Sequence, residues 1–566
     1  MNRIFHVSYV LVFVLITIGT GCAPSPAAEE KDIVETPEKM EPRVTAQIEK
    51  ALQQALASEG KLNDTILLRL DSAAFTFYKE RRFKPVWSTE ERFLPLADSL
   101  LQFVRNSKEY GLFPSDYHHR ALTGLFEKIA ADSLVRKDAV VWSRADILLT
   151  DAAMLMGKHL KQGRLKFDSV TLRTDSILPD SFYLKVVSDI LEQKQLRSVY
   201  SSLEPRHRGY DSLKTGLKWF LDSIGSFRKY TYVVYPNKDS ATLYSQLEMR
   251  FREEGLYKDS LPITDTATWR SLFRAYQKSH GFKVTGRVNE NTVNALNFTP
   301  WEKFKQIAVN LDRYKQLPDT LPSRYIWVNI PAYYMEVWDA DTLALLSRVV
   351  VGKPLTRTPL LTSKITDMIT YPQWTIPTSI IEKEVLPGVK KNPDYFEKHG
   401  YSLIDSRGEE VDPYTVNWKK YTKGIPYKVV QGSGDANALG VLKFNFSNKY
   451  SVYMHDTNQR YLFSNAARSL SHGCVRVQEW EKLAMYILRY DSANRKVNEG
   501  KYAAIDSLKV WMKRKEKHYL PVRNRMPVYI RYFSVVGKNG RLRFYEDIYG
   551  EDRSLRERYF ADKSIQ

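Results

Sequence analysis

The side chain with the clearest capacity for chemistry is the thiol of Cys474, in the stretch SLSHGCVRV at residues 469–477. A cysteine nucleophile needs a base or a positive field that lowers its pKa, and backbone N–H groups that hold the oxyanion it creates. Gly473 allows a tight turn and close approach of a reacting carbonyl. These residues alone leave four roles open for Cys474: buried apolar filler, half of a disulfide, a metal ligand or a nucleophile.

Two histidines are candidates for the base. His472 precedes Gly473 and Cys474, but side chains this close in sequence rarely face each other. His455, in VYMHDT, falls at the end of a predicted strand. Two neighbouring strand ends can bring an imidazole within hydrogen-bond reach of a thiol, so we expect His455 to be the base. A histidine satisfied within the core and an inert buried cysteine remain as alternatives at this point.

The only other cysteine is Cys22, which closes an amino-terminal segment with Arg3, a short apolar run and small residues. This order is typical of a secretory signal, and the run is too short for a good transmembrane span. The segment resembles a bacterial lipoprotein signal, with Gly19 where Leu or Val is usual. An ordinary signal peptide that happens to contain a cysteine is the alternative.

We therefore predict a signal peptide over residues 1–22, lipidation of Cys22 and a flexible tether over 23–42 rich in Pro, Ala and Glu. The protein is then exported to the periplasm and anchored to a membrane by its lipid. Cys474 becomes the sole thiol of the mature chain, which removes the disulfide. A lone cysteine also cannot build a Cys-rich zinc site, whose ligands come in pairs.

Length and charge bound the remaining possibilities. A chain of 566 residues predicts several domains, and its net charge of +20 predicts polyanionic partners. The sequence carries no helix-turn-helix, zinc-finger or RNA-binding signature, so we expect no nucleic acid. For an exported protein the expected polyanions are lipid head groups and the carboxylate-bearing peptides of the cell wall.

The hydrophobic pattern changes along the chain and predicts a multi-domain α+β protein. Residues 43–235 place apolar side chains at three-and-four spacing and predict a helical scaffold domain. From about residue 324 the period becomes two, which predicts a β-rich domain over 305–555. Within it, residues 378–424 interrupt the strands and predict an insertion that lies over the sheet.

Residues 240–298 are predicted to form a small unit of their own. An amphipathic helix is followed by two glycine turns and a second helix in WRSLFRAYQKSHGFKVTGRVNENTVNALN. This order resembles the small three-helix peptidoglycan-binding module, with Tyr in place of a usual Phe. The matching positions are Tyr276, Gln277, His280, Gly281, Phe282, Thr285, Gly286, Thr292 and Leu296.

The pattern HDT followed by SHGCVRV resembles the signature of the L,D-transpeptidase catalytic domain of the YkuD type. The likeness extends through YIWVNIPAYYMEVW, RVVVGKPLTRTP, SKITDMITYPQWTIP and NALGVLKFNF. The whole arrangement is similar to the large multi-domain L,D-transpeptidases of Gram-negative bacteria, which carry an inserted capping subdomain where residues 378–424 lie.

The resemblance implies a cysteine acyl-enzyme mechanism in peptidoglycan, without metal or cofactor. Cys474 attacks the third residue of a donor tetrapeptide stem and releases D-Ala, and an acceptor amine then forms a 3→3 cross-link. His455 is implied as the base, Gly473 and Cys474 as amide donors of the oxyanion hole, and His472 as an orienting residue. Positions that match stretches lining the groove are Tyr453, Arg476, Trp374 and Asn437.

The same resemblance implies stem peptides and glycan as partners, and acylation by carbapenem-type β-lactams. Hydrolysis by an L,D-carboxypeptidase or endopeptidase, or transfer to a lipoprotein lysine, would use the same Cys/His pair. From another class comes a non-catalytic lipoprotein that tethers the membrane to the wall through residues 240–298.

Overall fold

The computed structural model describes residues 31–63, 65–90, 92–166, 177–494, 505–563 and 565. The predicted signal peptide, Cys22 and the first part of the predicted tether lie outside these residues. Among the described residues, no helix combines the length and apolarity needed to cross a membrane. The chain divides into two compact units, one of Met1–Ala97 with Arg120–Thr150 and one of Asp98–His119 with Asp151–Gln566.

The amino-terminal region is helical, as its apolar spacing predicts. In α1, residues Val44, Ile48 and Leu52 recur every fourth position and are buried together. Ordered structure begins before residue 42, where the tether was predicted to end, because Val34 N–H donates to the carbonyl of Lys137. The helices are α1 (Met40–Ala57), α2 (Asp71–Glu80), α3 (Pro95–Arg105), α4 (His119–Ala131), α5 (Ala139–Gln162), α6 (Asp180–Gln193), α7 (Leu196–Leu203) and α8 (Arg208–Ile224).

Residues 240–298 form three helices, α9 (Ser240–Glu253), α10 (Thr266–Ser279) and α11 (Glu290–Asn297), around a core of their own. Buried Gln277 organises the turn between α10 and α11. Its Oε1 accepts from the N–H groups of Thr285 and Gly286, and its Nε2 donates to the Thr292 hydroxyl. A buried amide satisfied in this way fixes one conformation, since losing a partner would leave a buried polar group unpaired.

The last helix before the predicted domain boundary near residue 235 packs against the region that follows the boundary. The apolar face of α8 shares one core with α12 (Pro300–Lys315) and with the end of the chain. Its Leu213 and Leu217 are fully buried there beside Phe304 and Val535. Helix α8 therefore belongs to the same compact unit as the β-rich region.

The β-rich region is a sheet of ten strands that closes on itself. Strand order runs β11-β3-β12-β10-β9-β4-β14-β1-β2, and β2 pairs again with β3, while β13 pairs with β4. The strands of the region, with those outside this sheet, are β1 (Arg324–Asn329), β2 (Tyr334–Asp339), β3 (Thr342–Gly352), β4 (Leu361–Thr370), β5 (Trp374–Thr375), β6 (Tyr401–Ile404), β7 (Glu410–Val411), β8 (Lys428–Gln431), β9 (Leu442–Phe446), β10 (Met454–His455), β11 (Ser469–Ser471), β12 (Val475–Val477), β13 (Tyr519–Pro521), β14 (Pro527–Arg531), β15 (Val535–Lys538) and β16 (Arg541–Phe544).

Closure is possible because β3 is long. Its first part pairs with β2, and its last residues pair with β12 and β11. Alternate side chains point inward and form one buried cluster that includes Ile326, Val328 and Val528. Each such buried aliphatic side chain contributes about 1.5–3 kcal/mol relative to exposure.

The predicted insertion is a small domain with its own core. Strands β5, β8, β6 and β7 form a separate four-stranded sheet. Its helices are α13 (Thr378–Ile380), α14 (Leu386–Lys391) and α15 (Tyr395–His399), with a π-helical turn at Ile381–Val385. The buried cluster extends from Ile376 to Val429, slightly beyond the predicted bounds of 378 and 424 on both sides. We call these residues the inserted subdomain.

The chain ends with α16 (Trp480–Ala493), α17 (Ile505–Arg514), the β15–β16 hairpin and α18 (Glu551–Phe560). The hairpin turns at Asn539-Gly540, where both residues have positive φ, as the Asn-Gly pair predicts. Strand β14, which precedes the hairpin in the chain, pairs with β1 and β4 in the main sheet. Its apolar residues Val528 and Ile530 account for this placement, because they fill the core.

Candidate active site

Two adjacent strand ends bring the predicted residues together. Strands β10 and β12 pair in parallel, with His455 opposite Arg476 and Met454 opposite Val475. The Val475 N–H donates to the Tyr453 carbonyl, so the pairing extends by one residue and brings Tyr453 close to Cys474. Because side chains alternate, Met454 and Val475 point into the core, and the four polar neighbours lie on the opposite face. These four are Tyr453, His455, Cys474 and Arg476.

Cys474 lies at the end of a tight turn, residues 471–474, before β12. Gly473 adopts φ +118°, a conformation that disfavours any side chain. The Ser471 hydroxyl donates to the Cys474 carbonyl at 2.6 Å and accepts from the Gly473 N–H at 3.2 Å. Among the described residues, no acceptor engages the Cys474 N–H. The Cys474 N–H is therefore available to a substrate, whereas the N–H of the predicted donor Gly473 is already bonded.

The thiol is half-buried, which permits access from solvent. Burial raises the pKa of the Cys474 thiol, and hydrogen bonds from the Tyr453 backbone and hydroxyl oppose this rise, as do the charges of Lys443 and Arg476. Both cations therefore favour the thiolate and any oxyanion formed beside it.

His455 is buried and neutral. Burial lowers the pKa of His455 to about 3, and the Arg476 charge acts in the same direction. Its Nδ1 donates to the carbonyl of Asp456, so the main chain orients the ring. The Asp456 carboxylate is directed elsewhere, to the guanidinium of Arg460. At neutral pH the site consequently holds an uncharged imidazole that can accept a proton.

Sequence reasoning missed Lys443. It lies on β9 directly opposite His455 in the antiparallel β9–β10 pair, and so shares the face of Cys474. Its Nζ lies 4.0 Å from the centroid of the Tyr453 ring. The strand LKFNF alternates apolar and polar residues, and this alternation was the signal that Lys443 would lie on the face away from the core. Such alternation does not say which strand will be its neighbour.

His472 contacts the inserted subdomain. Its Nε2 and Glu384 Oε1 lie 2.5 Å apart, and Glu384 belongs to the π-helical turn. Single-turn π-bulges inside helices are frequent at functional sites. The Nε2 of His472 is thus engaged by a carboxylate, a partner that the sequence did not predict.

The two remaining predicted groove residues differ in position. Trp374, at the start of β5, lies against the hydroxyl of Tyr453 and lowers the pKa of that group, although burial raises it more. Asn437 is only 1 % exposed, and its amide bonds the main chain at Gly432 and Leu439. The polar atoms of Asn437 are thus bonded to the backbone here, and its substrate contact stays a prediction. Among the described residues, no group of three or more His, Cys, Asp or Glu side chains could hold a metal.

A cysteine and a neutral histidine on one face of a closed sheet, with two cations beside them, define a candidate cysteine-dependent acyl-transfer site. Comparison with protein families agrees with this class. Residues 323–498 match the family described as the L,D-transpeptidase catalytic domain, YkuD, and residues 72–217 match the Scaffold domain. Residues 323–498 are thus similar to the YkuD L,D-transpeptidase catalytic domain, and residues 72–217 are similar to the Scaffold domain.

A curated protein of Haemophilus influenzae named "Putative L,D-transpeptidase" is 35% identical over 251 residues, 44% of this chain and 49% of that protein. The chain thus aligns with about half the length of this relative. Two solved structures, the avibactam carbamoyl enzyme of Ldtfm and a cysteine-to-serine mutant of the Enterococcus faecium L,D-transpeptidase, are each 13% identical. Each match covers 49% of this chain, and 84% and 86% of the respective solved chains, with TM-scores of 0.17 and 0.15.

The charge of Lys443 gives a first prediction. Lys443→Met should shift the pH dependence of Cys474 alkylation by iodoacetamide upward, because the lost cation no longer lowers the thiol pKa. The measurement is alkylation rate against pH, followed by intact mass. Lys449→Met, at an exposed lysine just beyond β9, is the matched control and should leave the curve in place. An unchanged curve for Lys443→Met would contradict the assigned electrostatics.

Proposed function

We propose that the protein is a peptidoglycan L,D-transpeptidase that forms 3→3 cross-links through a Cys474 acyl-enzyme. The observation that carries the proposal is the shared face of Cys474, His455 and Lys443 beside the free Cys474 N–H. The family match and the name of the curated relative support the same reaction class. No resident metal or cofactor takes part in the proposed steps.

In the first step the sulfur of Cys474 bonds to the carbonyl carbon of the third residue of a donor stem. The thiol proton passes to His455, the C–N bond to the terminal D-Ala breaks, and His455 returns the proton to the departing amine. In the second step the side-chain amine of an acceptor's third residue attacks the thioester. A new C–N bond forms, the C–S bond breaks, and the proton released by the amine returns to the sulfur through His455.

The thiol and imidazole are both uncharged before the substrate arrives. Burial raises the pKa of the thiol and holds that of His455 at about 3, so a preformed thiolate–imidazolium pair is disfavoured. Proton transfer then accompanies attack on the carbonyl. The developing oxyanion accepts a hydrogen bond from the Cys474 N–H. The charges of Lys443 and Arg476 supply a positive field in a partly buried site.

The same cations suit an anionic donor, since a tetrapeptide stem ends in a carboxylate. Residues 240–298 would hold the enzyme on the glycan, and Cys22 would carry a lipid that anchors it to a membrane after export. The inserted subdomain would cover the donor groove through Trp374 and Glu384.

The test of the function compares the purified protein with Cys474→Ala on tetrapeptide muropeptides. We expect 3→3 dimers and free D-Ala from the unaltered chain and neither from the variant, because Cys474 is the only cysteine among the described residues. Mass spectrometry reads the products. Tripeptide without dimer would indicate hydrolysis in place of transfer, and products that persist in Cys474→Ala would contradict a cysteine mechanism.

The low pKa of His455 gives a prediction for pH. A neutral base works only above its pKa, so the rate of carbapenem acylation should stay level from about pH 8 to about pH 5, across the ordinary imidazole pKa of about 6.5. Stopped-flow absorbance at saturating carbapenem measures the rate. An acid limb with its midpoint near the ordinary imidazole value would show that His455 titrates normally and would contradict the burial described here.

A further inference from the structure

The 471–474 turn is held from behind by residues 353–358, which we call the supporting loop. The Lys353 N–H and the Thr356 hydroxyl both donate to the Ser471 carbonyl, at 2.9 and 3.0 Å. The Thr358 hydroxyl donates to the Gly473 carbonyl at 2.8 Å. The turn that carries Cys474 is thus fixed by hydrogen-bond donors of the supporting loop, which engage its carbonyl groups on the inner side.

The bond from Thr358 has a directional consequence for the next amide. The Gly473 carbonyl and the Cys474 N–H belong to one peptide unit, which is planar and trans, so they point in opposite directions. A donor that pins the carbonyl on the inner side therefore aims the N–H toward the outer side. Among the described residues, that N–H has no acceptor.

Thr358 is itself locked by a residue from the end of the chain. The Tyr549 hydroxyl accepts from the Thr358 N–H at 3.0 Å and donates to the Gly352 carbonyl at 2.8 Å. The Gly352 N–H in turn donates to the Thr358 hydroxyl oxygen at 2.8 Å. The Thr358 hydroxyl therefore accepts one hydrogen bond and donates its own proton to the Gly473 carbonyl. The four hydrogen bonds are buried and satisfy every polar group in the chain of contacts.

Tyr549 lies outside residues 323–498, the part that matches the catalytic family. Its segment is anchored independently of the site. Tyr532 donates to Asp547 at 2.6 Å and accepts from the Tyr549 N–H at 3.0 Å. Helix α12 holds the same segment, because Asn310 donates to buried Asp552 at 2.9 Å. A rigid base therefore stands behind the Tyr549 hydroxyl.

We propose that Thr358 and Tyr549 are positioning residues that aim the Cys474 N–H at the substrate oxyanion. The inference rests on the proposed function, in which Cys474 is the nucleophile. Neither residue touches the substrate. They act through the Gly473–Cys474 peptide, so their loss should slow acylation while leaving the intrinsic reactivity of the thiol and the binding of the substrate in place.

The experiment compares Thr358→Val, Thr358→Ser and Tyr549→Phe in the full chain. Carbapenem acylation measured over a range of concentrations gives a maximal rate and a half-saturating concentration. Alkylation of Cys474 by iodoacetamide measures a reaction that needs no oxyanion donor. Tyr486→Phe is the matched control, because it removes a single tyrosine hydroxyl bond, to Asp339, elsewhere in the same domain. Thermal unfolding establishes that each variant is folded.

We expect Thr358→Val and Tyr549→Phe to lower the maximal acylation rate about tenfold, the effect of losing one net hydrogen bond in the transition state. Half-saturation and alkylation should stay at the unaltered values, and Thr358→Ser and Tyr486→Phe should acylate normally. Undiminished acylation in both variants, or an equal loss of alkylation, would overturn the inference alone. Absence of acylation in the unaltered protein would overturn the proposed function and the inference with it.

Discussion

The parallel pairing of β10 with β12 is the constraint on which the site depends. It places His455 opposite Arg476 and carries Cys474 to the level of Tyr453. A shift of this register by a single residue would exchange the polar face for the apolar one and send Met454 and Val475 out of the core. The hydrophobic core of the closed sheet therefore fixes the geometry of the reacting groups. When Met454 and Val475 are buried in the core, their neighbours along the two strands must lie on the opposite face.

The rest of the unit shields and supports that pairing. Burial keeps His455 uncharged, and cations on the same face offset the cost of burying a thiolate. The supporting loop and the end of the chain hold the 471–474 turn from the inner side. The inserted subdomain reaches the same turn from another direction through Glu384 and His472. Segments that lie far apart in sequence thus meet at one short turn.

Much of this arrangement could be predicted from the sequence. Period-two apolar patterns indicated the strands, and the SHGCVRV stretch with His455 indicated the reacting pair. Lys443, Glu384 and Tyr549 could not be predicted, because their roles come from strand order and long-range packing, which periodicity does not encode. The burial of Asn437 could not be predicted for the same reason. The boundary near residue 235 failed because the apolar face of α8 does not reveal its partner.

The central claim is that Cys474 forms a thioester with a stem peptide. The most direct measurement incubates the protein with a tetrapeptide donor without acceptor, quenches in acid and maps the adduct by peptide mass spectrometry. We expect a mass increase equal to the tripeptide acyl group on the fragment that contains Cys474, removed by hydroxylamine, with one free D-Ala for each adduct. An adduct on another residue, or release of D-Ala with no thioester on quenching at any time, would contradict this claim.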